Sequence, residues 1–234
     1  MKNKKIVITG GTAGLGLALA RKLSALGAQA IILARDEERG RCIAAELGCD
    51  FQFCNVADSQ SCYEAYEAIV KKYGDIDILI NNAGIWLDNG HGEDDPGERT
   101  HVFDTNVLGA IDLIGRFLPV MREKNSGTIV NINSIAALPA ADPSVNWKTY
   151  AASKAALARY SDALREELRE TKVKVIQIFP GGFGSDMYMS AKWDKDRAFN
   201  QPWMMSSDDV ADCLIFMLTR PGNIMISSMT VENK

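Results

Sequence analysis

Residues 5–16 read Lys-Ile-Val-Ile-Thr-Gly-Gly-Thr-Ala-Gly-Leu-Gly, an apolar run that leads directly into a glycine-rich turn. The segment that follows, residues 14–26, repeats Leu and Ala at helical spacing and stops at Gly27. A short β-branched run favours a buried strand, whereas the Leu and Ala repeat favours an amphipathic helix. The stretch therefore predicts a strand, a tight turn and a helix in immediate succession.

The same alternation of strands and helices continues along the rest of the chain. Further short apolar runs predict strands at residues 30–33, 51–54, 76–80, 128–132, 173–179 and 224–231. Periodic segments between them predict helices at residues 36–47, 59–73, 98–121, 148–170 and 208–218. Together they indicate an α/β fold with a doubly wound, Rossmann-type, mostly parallel sheet of about seven strands and helices on both faces. No linker or repeat interrupts the pattern, so we expect a single domain over residues 1–234.

Composition and charge exclude several classes of protein. The chain has 234 residues, 47% hydrophobic and 24% charged, with a net charge of −4. This balance is ordinary for a globular protein and gives no reason to expect nucleic acid as a partner. No apolar run is long enough to span a membrane, and the basic start is not followed by a signal-peptide core. We therefore expect a soluble, cytoplasmic protein.

The cysteines and histidines do not form a metal-binding pattern. Five scattered cysteines without a C-x-x-C pair are typical of reduced intracellular thiols. The two histidines, His91 and His101, accompany an acidic, glycine-rich stretch at residues 88–99. A metal site there is conceivable, but runs of carboxylates usually face water, and we prefer a solvated loop. We expect no metal.

The glycine-rich turn is a candidate phosphate-binding site. Glycines let the backbone approach a pyrophosphate closely, and the helix that follows presents free N–H groups and the positive end of its dipole. The spacing G-x-x-x-G-x-G, placed after the first strand of a doubly wound sheet, favours dinucleotide binding over a purely structural turn. The residues expected to hold the cofactor here are Gly10, Thr12, Gly14, Leu15 and Gly16.

The end of the second strand bears on which dinucleotide binds. An acid at this position usually holds a ribose 2′-hydroxyl, whereas an arginine accommodates a 2′-phosphate. The chain has Arg35 followed by Asp36, and we interpret Asp36 as the N-cap of the next helix. Arg35 therefore favours NADP(H), and NAD(H) is the alternative.

Five blocks, in order, resemble the short-chain dehydrogenase/reductase family in its single-domain form. They are Thr9-Gly10-x-x-x-Gly14-x-Gly16, Asn81-Asn82-Ala83-Gly84, Ser134, Tyr150-x-x-x-Lys154 and Pro180-Gly181. Four of them lie at or after the end of a predicted strand, and Tyr150-x-x-x-Lys154 lies on the helix after the fifth strand. Each block alone is a weak signal. Their order and placement over nearly the whole chain make the resemblance specific.

The resemblance implies an oxidoreductase that moves a hydride between a nicotinamide and a carbonyl or alcohol carbon. Tyr150 would donate the proton, and Lys154, one helical turn away, would lower the pKa of a phenol that is ordinarily about 10. Ser134 would hold the substrate oxygen, and Lys154 would also bind the nicotinamide ribose. Asn106 would anchor a water that leads protons to the lysine. The alternative for Asn106 is a mid-helix residue satisfied by local backbone.

Further cofactor contacts are implied by the resemblance. Asn82, Ala83 and Gly84 would line the adenosine side, and the backbone of Phe183 would hold the nicotinamide carboxamide beside Pro180 and Gly181. Two positions depart from the family pattern. Asn55, before Val56, stands where many members have an Asp that meets the adenine amino group, and Ser185 replaces the usual threonine. The amide oxygen of asparagine and the hydroxyl of serine can still form these hydrogen bonds.

The substrate and the oligomeric state are less well determined by the sequence. The segment at about residues 185–206 is rich in Met, Trp and aromatic residues, and Trp86 and Trp147 lie beside family motifs. This composition favours a hydrophobic or aromatic ketone or aldehyde, or simply a lid that buries its own apolar face. The chain lacks a glycine-rich finish after residue 224, which favours a homodimer over a tetramer.

Two other functions and one competing motif remain as alternatives. The chain could be a non-catalytic NADP(H)-sensing protein, although it has lost neither the tyrosine nor the lysine. It could be an epimerase or lyase on the same fold, although such enzymes usually need a larger substrate region. Tyr188 and Lys192 also form Y-x-x-x-K, and we interpret that match as accidental because no serine-bearing strand end precedes it.

Overall fold

A computed structural model describes residues 1–86, 95–139, 148–190, 194–199 and 201–234 of the chain. Within these ranges, seven strands form one parallel sheet in the order β3-β2-β1-β4-β5-β6-β7. The strands are β1 (Lys5–Thr9), β2 (Gln29–Ala34), β3 (Asp50–Phe53), β4 (Ile78–Asn81), β5 (Gly127–Ile132), β6 (Val173–Pro180) and β7 (Ser228–Val231). The predicted Rossmann-type fold is confirmed.

Helices cover both faces of this sheet. Those described are α1 (Gly14–Ala25), α2 (Glu37–Leu47), α3 (Ser59–Tyr73), α4 (Pro96–Phe103), α5 (Gly109–Glu123), α6 (Lys148–Glu167), α7 (Asp186–Ser190), α8 (Lys195–Phe199) and α9 (Ser207–Leu218). The chain runs outward from β1 through β2 to β3, and then returns to pair β4 with the other side of β1. This reversal creates a switch point at the carboxyl ends of β1 and β4, where ligands bind in open α/β sheets.

Alternating side chains of the central strand divide the core into two layers. In β1, Ile6 and Ile8 pack on the face covered by α1 and α9, whereas Val7 packs on the face covered by α3, α5 and α6. All three side chains are fully buried. Because both faces are covered, residues 6–8 of β1 are all apolar rather than alternating with polar residues. No helix of the described ranges has the length and apolarity to cross a membrane.

The helix predicted at residues 98–121 is present as a continuous helical segment over residues 96–123, but it is not α-helical throughout. The structure has α4 and α5, joined by a π-helical turn at Asp104–Leu108. A π turn holds one residue more than an α turn, and it appears here where Asn106 is turned inward to hydrogen-bond other segments. Gly109 follows the turn. A Cβ on this residue would lie 2.2 Å from the Val56 carbonyl oxygen, so a larger residue would not fit there.

Two other predicted boundaries differ from the structure by three residues or more. The helix predicted to reach residue 170 ends at residue 167, because Thr171 closes a turn through its side-chain and backbone bonds to the Leu168 carbonyl. The last strand begins at residue 228 rather than 224. Before it, Ile224 closes a turn on the Pro221 carbonyl, and its own carbonyl accepts a hydrogen bond from Lys174.

Candidate active site

The glycine-rich turn between β1 and α1 forms an open cradle. Gly14 has a φ of +48°, a conformation that other residues rarely adopt, and it lies at the first position of α1. A Cβ on Gly16 would lie 2.2 Å from the Gly10 carbonyl oxygen, so only glycine fits there. Ala13, the N-cap of α1, makes no side-chain cap, which leaves the N–H groups of the first helical turn available for an anion.

Asn82 ties this turn to the end of β4. Its side-chain amide donates to the carbonyl oxygens of Thr9 at 2.9 Å and Gly10 at 3.2 Å. In return, the Thr9 hydroxyl accepts hydrogen bonds of 2.9 Å from the backbone N–H groups of Asn82 and Ala83. The two strand ends at the switch point are therefore held together by side chains from both predicted motifs.

A cavity of about 560 Å³ lies along the carboxyl ends of the strands, a size typical of small-molecule sites. The predicted site residues on its wall are Gly10, Thr12, Gly14, Leu15, Arg35, Asn55, Val56, Asn82, Ala83, Gly84, Ser134, Tyr150, Lys154, Pro180, Gly181, Phe183 and Ser185. Gly16 lies beneath the turn, and Asn106 lies behind the wall, against Ile85 and Ser153.

Two arginines mark the end of the cavity nearest β2. Arg35 is exposed at the end of that strand, and Asp36 caps α2 by accepting a 3.0 Å hydrogen bond from the Arg39 N–H. The interpretation of Asp36 as a helix cap agrees with this geometry. Arg39 also lines the cavity and was missed by the sequence analysis, although its place in the first turn of the predicted helix that follows Arg35 was a usable signal.

Asn55 has a partly satisfied side chain on the same side. Its amide oxygen accepts a 3.3 Å hydrogen bond from the Ala57 N–H, and its backbone N–H donates to the Ser61 hydroxyl at 3.0 Å. An amide oxygen has two lone pairs, so one remains to meet an adenine amino group. Ser185 lies across the cavity opening, with its Cβ 3.4 Å from the position a Cβ on Gly14 would occupy.

The tyrosine, lysine and serine predicted to be catalytic come together in one place. Ser134 follows β5, and its hydroxyl accepts a 3.2 Å hydrogen bond from the Ala136 N–H. Tyr150 lies in the first turn of α6, where Ser134 acts to lower the pKa of its hydroxyl. Lys154, one turn further along α6, is 3% exposed, and its ammonium lies 5.8 Å from the centre of the Tyr150 ring.

The ionisation of these groups follows from their burial. Burial raises the pKa of the Tyr150 hydroxyl, the hydrogen bond with Ser134 acts in the opposite direction, and the nearby Tyr188 raises it further. Burial lowers the pKa of Lys154 to about 8. Tyr150 is therefore a neutral phenol near pH 7, able to donate a proton. The lowering of its pKa by Lys154 stays a prediction for the complex with cofactor.

Asn106 is held by partners outside its own helix. Its amide group donates to the Ile85 carbonyl at 2.9 Å and to the Ser153 hydroxyl at 3.0 Å, and its oxygen accepts from the Ile85 N–H at 2.8 Å. A Cβ on Gly84 would lie 3.3 Å from that oxygen and 3.5 Å from the Lys154 ammonium. The alternative of satisfaction by local backbone therefore does not describe Asn106, which lies close to the lysine.

Aromatic side chains line the other end of the cavity. The rings of Trp86 and Tyr188 meet edge to face with their centres 5.5 Å apart, and Met187 and Trp203 also face the cavity. Tyr188, whose Y-x-x-x-K match was interpreted as accidental, thus lies in the site. The sequence analysis also missed Asn233, which reaches the cavity from beyond β7.

Several residues considered in the sequence analysis lie outside the described residues. They are His91, most of the stretch at residues 88–99, Trp147, Lys192 and, in the segment at about residues 185–206, residues 191–193 and 200.

The chain is similar to known oxidoreductases over almost its full length. A family model described as short chain dehydrogenase matches residues 4–196. An NADP-dependent 3-hydroxy acid dehydrogenase of Schizosaccharomyces pombe is 30% identical over 243 residues, covering 99% of this chain and 93% of the relative.

Solved structures of oxidoreductases are also similar to this chain over almost its full length. Serine dehydrogenase in a closed form with NADP+ has a TM-score of 0.88 and 27% identity, covering 97% of this chain and 94% of that one. A metagenomic short-chain oxidoreductase with NADP has a TM-score of 0.83 and 26% identity, covering 100% of this chain and 98% of that one. With the matched model and these relatives, the chain belongs to the short-chain dehydrogenase/reductase family of oxidoreductases.

Proposed function

We propose that this protein is an NADP(H)-dependent oxidoreductase of the carbonyl reductase or alcohol dehydrogenase type, acting on a hydrophobic or aromatic carbonyl or alcohol. The observation that carries the proposal is the meeting of Ser134, Tyr150 and Lys154 in one cavity with the glycine-rich cradle. The whole chain is proposed to act as one domain.

The prediction of NADP(H) as the cofactor is confirmed by the relative and the solved structures that use or hold it. The cradle at Gly16 and the free N–H groups of α1 suit the pyrophosphate. Arg35 and Arg39 would meet the 2′-phosphate, since guanidinium groups pair well with phosphate oxygens. Ser185 would bind near the pyrophosphate or carboxamide, and the Phe183 backbone would hold the carboxamide.

The chemistry assigned to the chain is orientation of the substrate and movement of a proton. NADPH, when bound, supplies the hydride. The Ser134 hydroxyl would hold the substrate oxygen, and Tyr150 would give its hydroxyl proton to that oxygen as the alkoxide develops. Lys154 would stabilise the resulting phenolate by its charge and bind the nicotinamide ribose. Asn106 would hold the water that returns a proton to Lys154.

The substrate class follows from the wall opposite the arginines. Trp86 and Tyr188, in edge-to-face contact, give this end an aromatic lining, and Trp203 is a third aromatic residue that lines the same cavity. Of the described residues that line the cavity, the cations other than Lys154 are the two arginines near β2. A carboxylate substrate, as in the name of the hydroxy acid dehydrogenase, would favour a cation beside Trp86. The described lining instead favours a neutral, apolar or aromatic carbonyl compound.

We also propose that the protein is a cytoplasmic homodimer joined through the outer faces of α4 to α6. Leu108, between α4 and α5, is 55% exposed and borders a shallow groove with Phe103 and Ala152. An exposed large apolar side chain beside a groove favours contact with a second surface. The two helical faces would meet across a two-fold axis.

The proposed activity is tested with a panel of aromatic and aliphatic ketones and aldehydes, followed by NADPH absorbance, with NADH in parallel. We expect turnover with NADPH and a preference for aromatic carbonyls. Measurable NADPH binding without turnover of any compound, in either direction of the reaction, would instead favour the sensing protein.

A further inference from the structure

The segment after β7 continues along the end of β6 and into the cavity. Val231 pairs with Pro180 in the sheet, and its carbonyl accepts a 2.7 Å hydrogen bond from the Gly181 N–H. Beyond it, Glu232 and Lys234 are exposed, whereas Asn233 between them is half-buried and lines the cavity. This alternation is that of extended backbone, whose side chains point to opposite sides.

The side-chain amide of Asn233 connects the end of β6 with the segment that carries Trp203. Its nitrogen donates a hydrogen bond to the backbone carbonyl of Trp203. Its oxygen lies 2.7 Å from the position that a Cβ on Gly181 would occupy, so any larger residue at position 181 would displace it. Asn233 thus links the end of β6 to the segment that carries Trp203.

Trp203 is an exposed aromatic residue held from two sides. Its indole ring passes 2.1 Å from the position of a Cβ on Gly182, so the ring rests directly on the glycine backbone. The side chain is 46% exposed, although it lines the cavity together with Gly182. Two residues further on, Met205 bonds to the Gly182 carbonyl and the Gly184 N–H, both at 3.1 Å. Trp203 therefore depends on the Asn233 bond at one end and this short pairing at the other.

We propose that Asn233 is a positioning residue that holds Trp203 against the substrate end of the cavity, and so sets a preference for carbonyl substrates with an aromatic ring. The substrate part rests on the proposed function, whereas the contact between Asn233 and Trp203 does not. A flat apolar group of the substrate would stack on the held indole. An indole that is free to move would lose that contact by reorienting. We expect this to weaken substrate binding and to leave proton transfer unchanged.

The kinetic test compares Asn233→Ala and Asn233→Asp with the wild type and with Glu232→Ala, the exposed neighbour. The aspartate variant keeps the size and loses the donor. For acetophenone, we expect both Asn233 variants to raise KM by about 3- to 10-fold, the effect of losing one hydrogen bond, with kcat within about two-fold. For propanal, KM should change by less than about two-fold, since a small aliphatic aldehyde has no ring to stack. Glu232→Ala should match the wild type with both substrates.

The link through Trp203 is tested by a double-mutant cycle. In a Trp203→Phe background, Asn233→Ala should add little to KM, because the side chain that Asn233 positions has already been shortened. Equal effects of Asn233→Ala in both backgrounds would overturn the proposal. So would equal losses on acetophenone and propanal, or a fall in kcat alone.

A second measurement does not depend on turnover. Asn233→Ala should increase quenching of tryptophan fluorescence by acrylamide, and the increase should vanish in the Trp203→Phe background. Unchanged quenching in the Asn233→Ala protein would also overturn the proposal. If the wild type reduces none of the carbonyl compounds, the proposed substrate class fails, and the quenching result still decides whether Asn233 holds Trp203.

Discussion

The side-chain nitrogen of Lys154 donates a 2.8 Å hydrogen bond to the carbonyl oxygen of Ile132, the last residue of β5. The lysine is thereby anchored to the strand that leads into Ser134, while it lies one turn from Tyr150 on α6. Burial at this position lowers its pKa to about 8. Both the stability of the protein and its activity should respond to that shift.

The deprotonation of Lys154 should increase the free energy of unfolding as the pH rises from about 8 to 10.5. Its pKa is about 8 in the folded protein and 10.5 for an unperturbed lysine, so the unfolded chain binds more protons in this window. Urea unfolding of the wild type and Lys154→Met at pH 7, 8.5 and 10 should show the two free energies diverging, by up to about 3 kcal/mol, in favour of the wild type as pH rises. Parallel curves would show that burial does not shift this lysine.

Loss of the Tyr150 hydroxyl should abolish most of the turnover. Tyr150→Phe should lower kcat by about 10²- to 10⁴-fold, the usual contribution of general acid catalysis, with little change in NADPH affinity. Tyr160→Phe is a matched control, because Tyr160 lies on the same helix and outside the cavity lining. Undiminished turnover of the Tyr150→Phe protein would contradict the proposed mechanism.

Removal of Arg35 should change cofactor choice. Arg35→Ala should weaken NADPH binding by about 10- to 100-fold, as expected for a lost charge-assisted hydrogen bond, and leave NADH binding nearly unchanged. Arg39→Ala should act in the same direction. Arg41, which pairs with Glu37 on the same helix, supplies the control. Titration of the two cofactors by fluorescence measures the effect, and equal losses for both would remove Arg35 from this role.

Two glycine-to-alanine changes should have opposite results. Gly16→Ala places a Cβ 2.2 Å from the Gly10 carbonyl oxygen, so the turn must shift and NADPH binding should be lost. A Cβ on Gly115, inside α5, meets no atom within 4 Å. Gly115→Ala should therefore stabilise the protein by about 0.4–1 kcal/mol through the unfolded chain, with unchanged cofactor binding. Thermal unfolding and NADPH titration of both variants check this pair.

A charge at the exposed helical face should dissociate the proposed dimer. Leu108→Glu places a carboxylate where an apolar side chain is 55% exposed, and burying that charge in an interface would be costly. Light scattering after gel filtration should give a dimer for the wild type and a monomer for the variant. A monomeric wild type would show that this face does not associate.

Much of the fold could be predicted because its signals are local. β1, the glycine-rich turn and α1 follow one another within residues 5–25, and each is determined by neighbouring residues. Ser134, Tyr150 and Lys154 could be grouped because their order resembles the family's motifs, with Ser134 after a predicted strand and the other two residues on the next helix. The cap at Asp36 was likewise readable from the next residues along the chain.

The remaining features depend on contacts between distant segments. Asn106 turns inward to meet Ile85 and Ser153, and no periodicity in residues 98–121 reveals the π turn that permits this. Asn233 lies 30 residues from its partner Trp203, and its role depends on the pairing of β7 with β6. Tyr188 was interpreted only as part of an accidental Y-x-x-x-K match. The contact of its ring with Trp86 in the cavity depends on the fold and could not be predicted from that motif.

The π turn at Asp104–Leu108 also requires a fixed number of residues in this segment, in addition to the right residue types. Deleting one residue there would convert the turn to an ordinary α-helical one and rotate α4 by about 100° relative to α5. Val102, now fully buried, would then be carried out of the core, and Asn106 would lose Ile85. Surface loops tolerate insertions and deletions, but we expect the same changes within these five residues to disrupt the fold and the site.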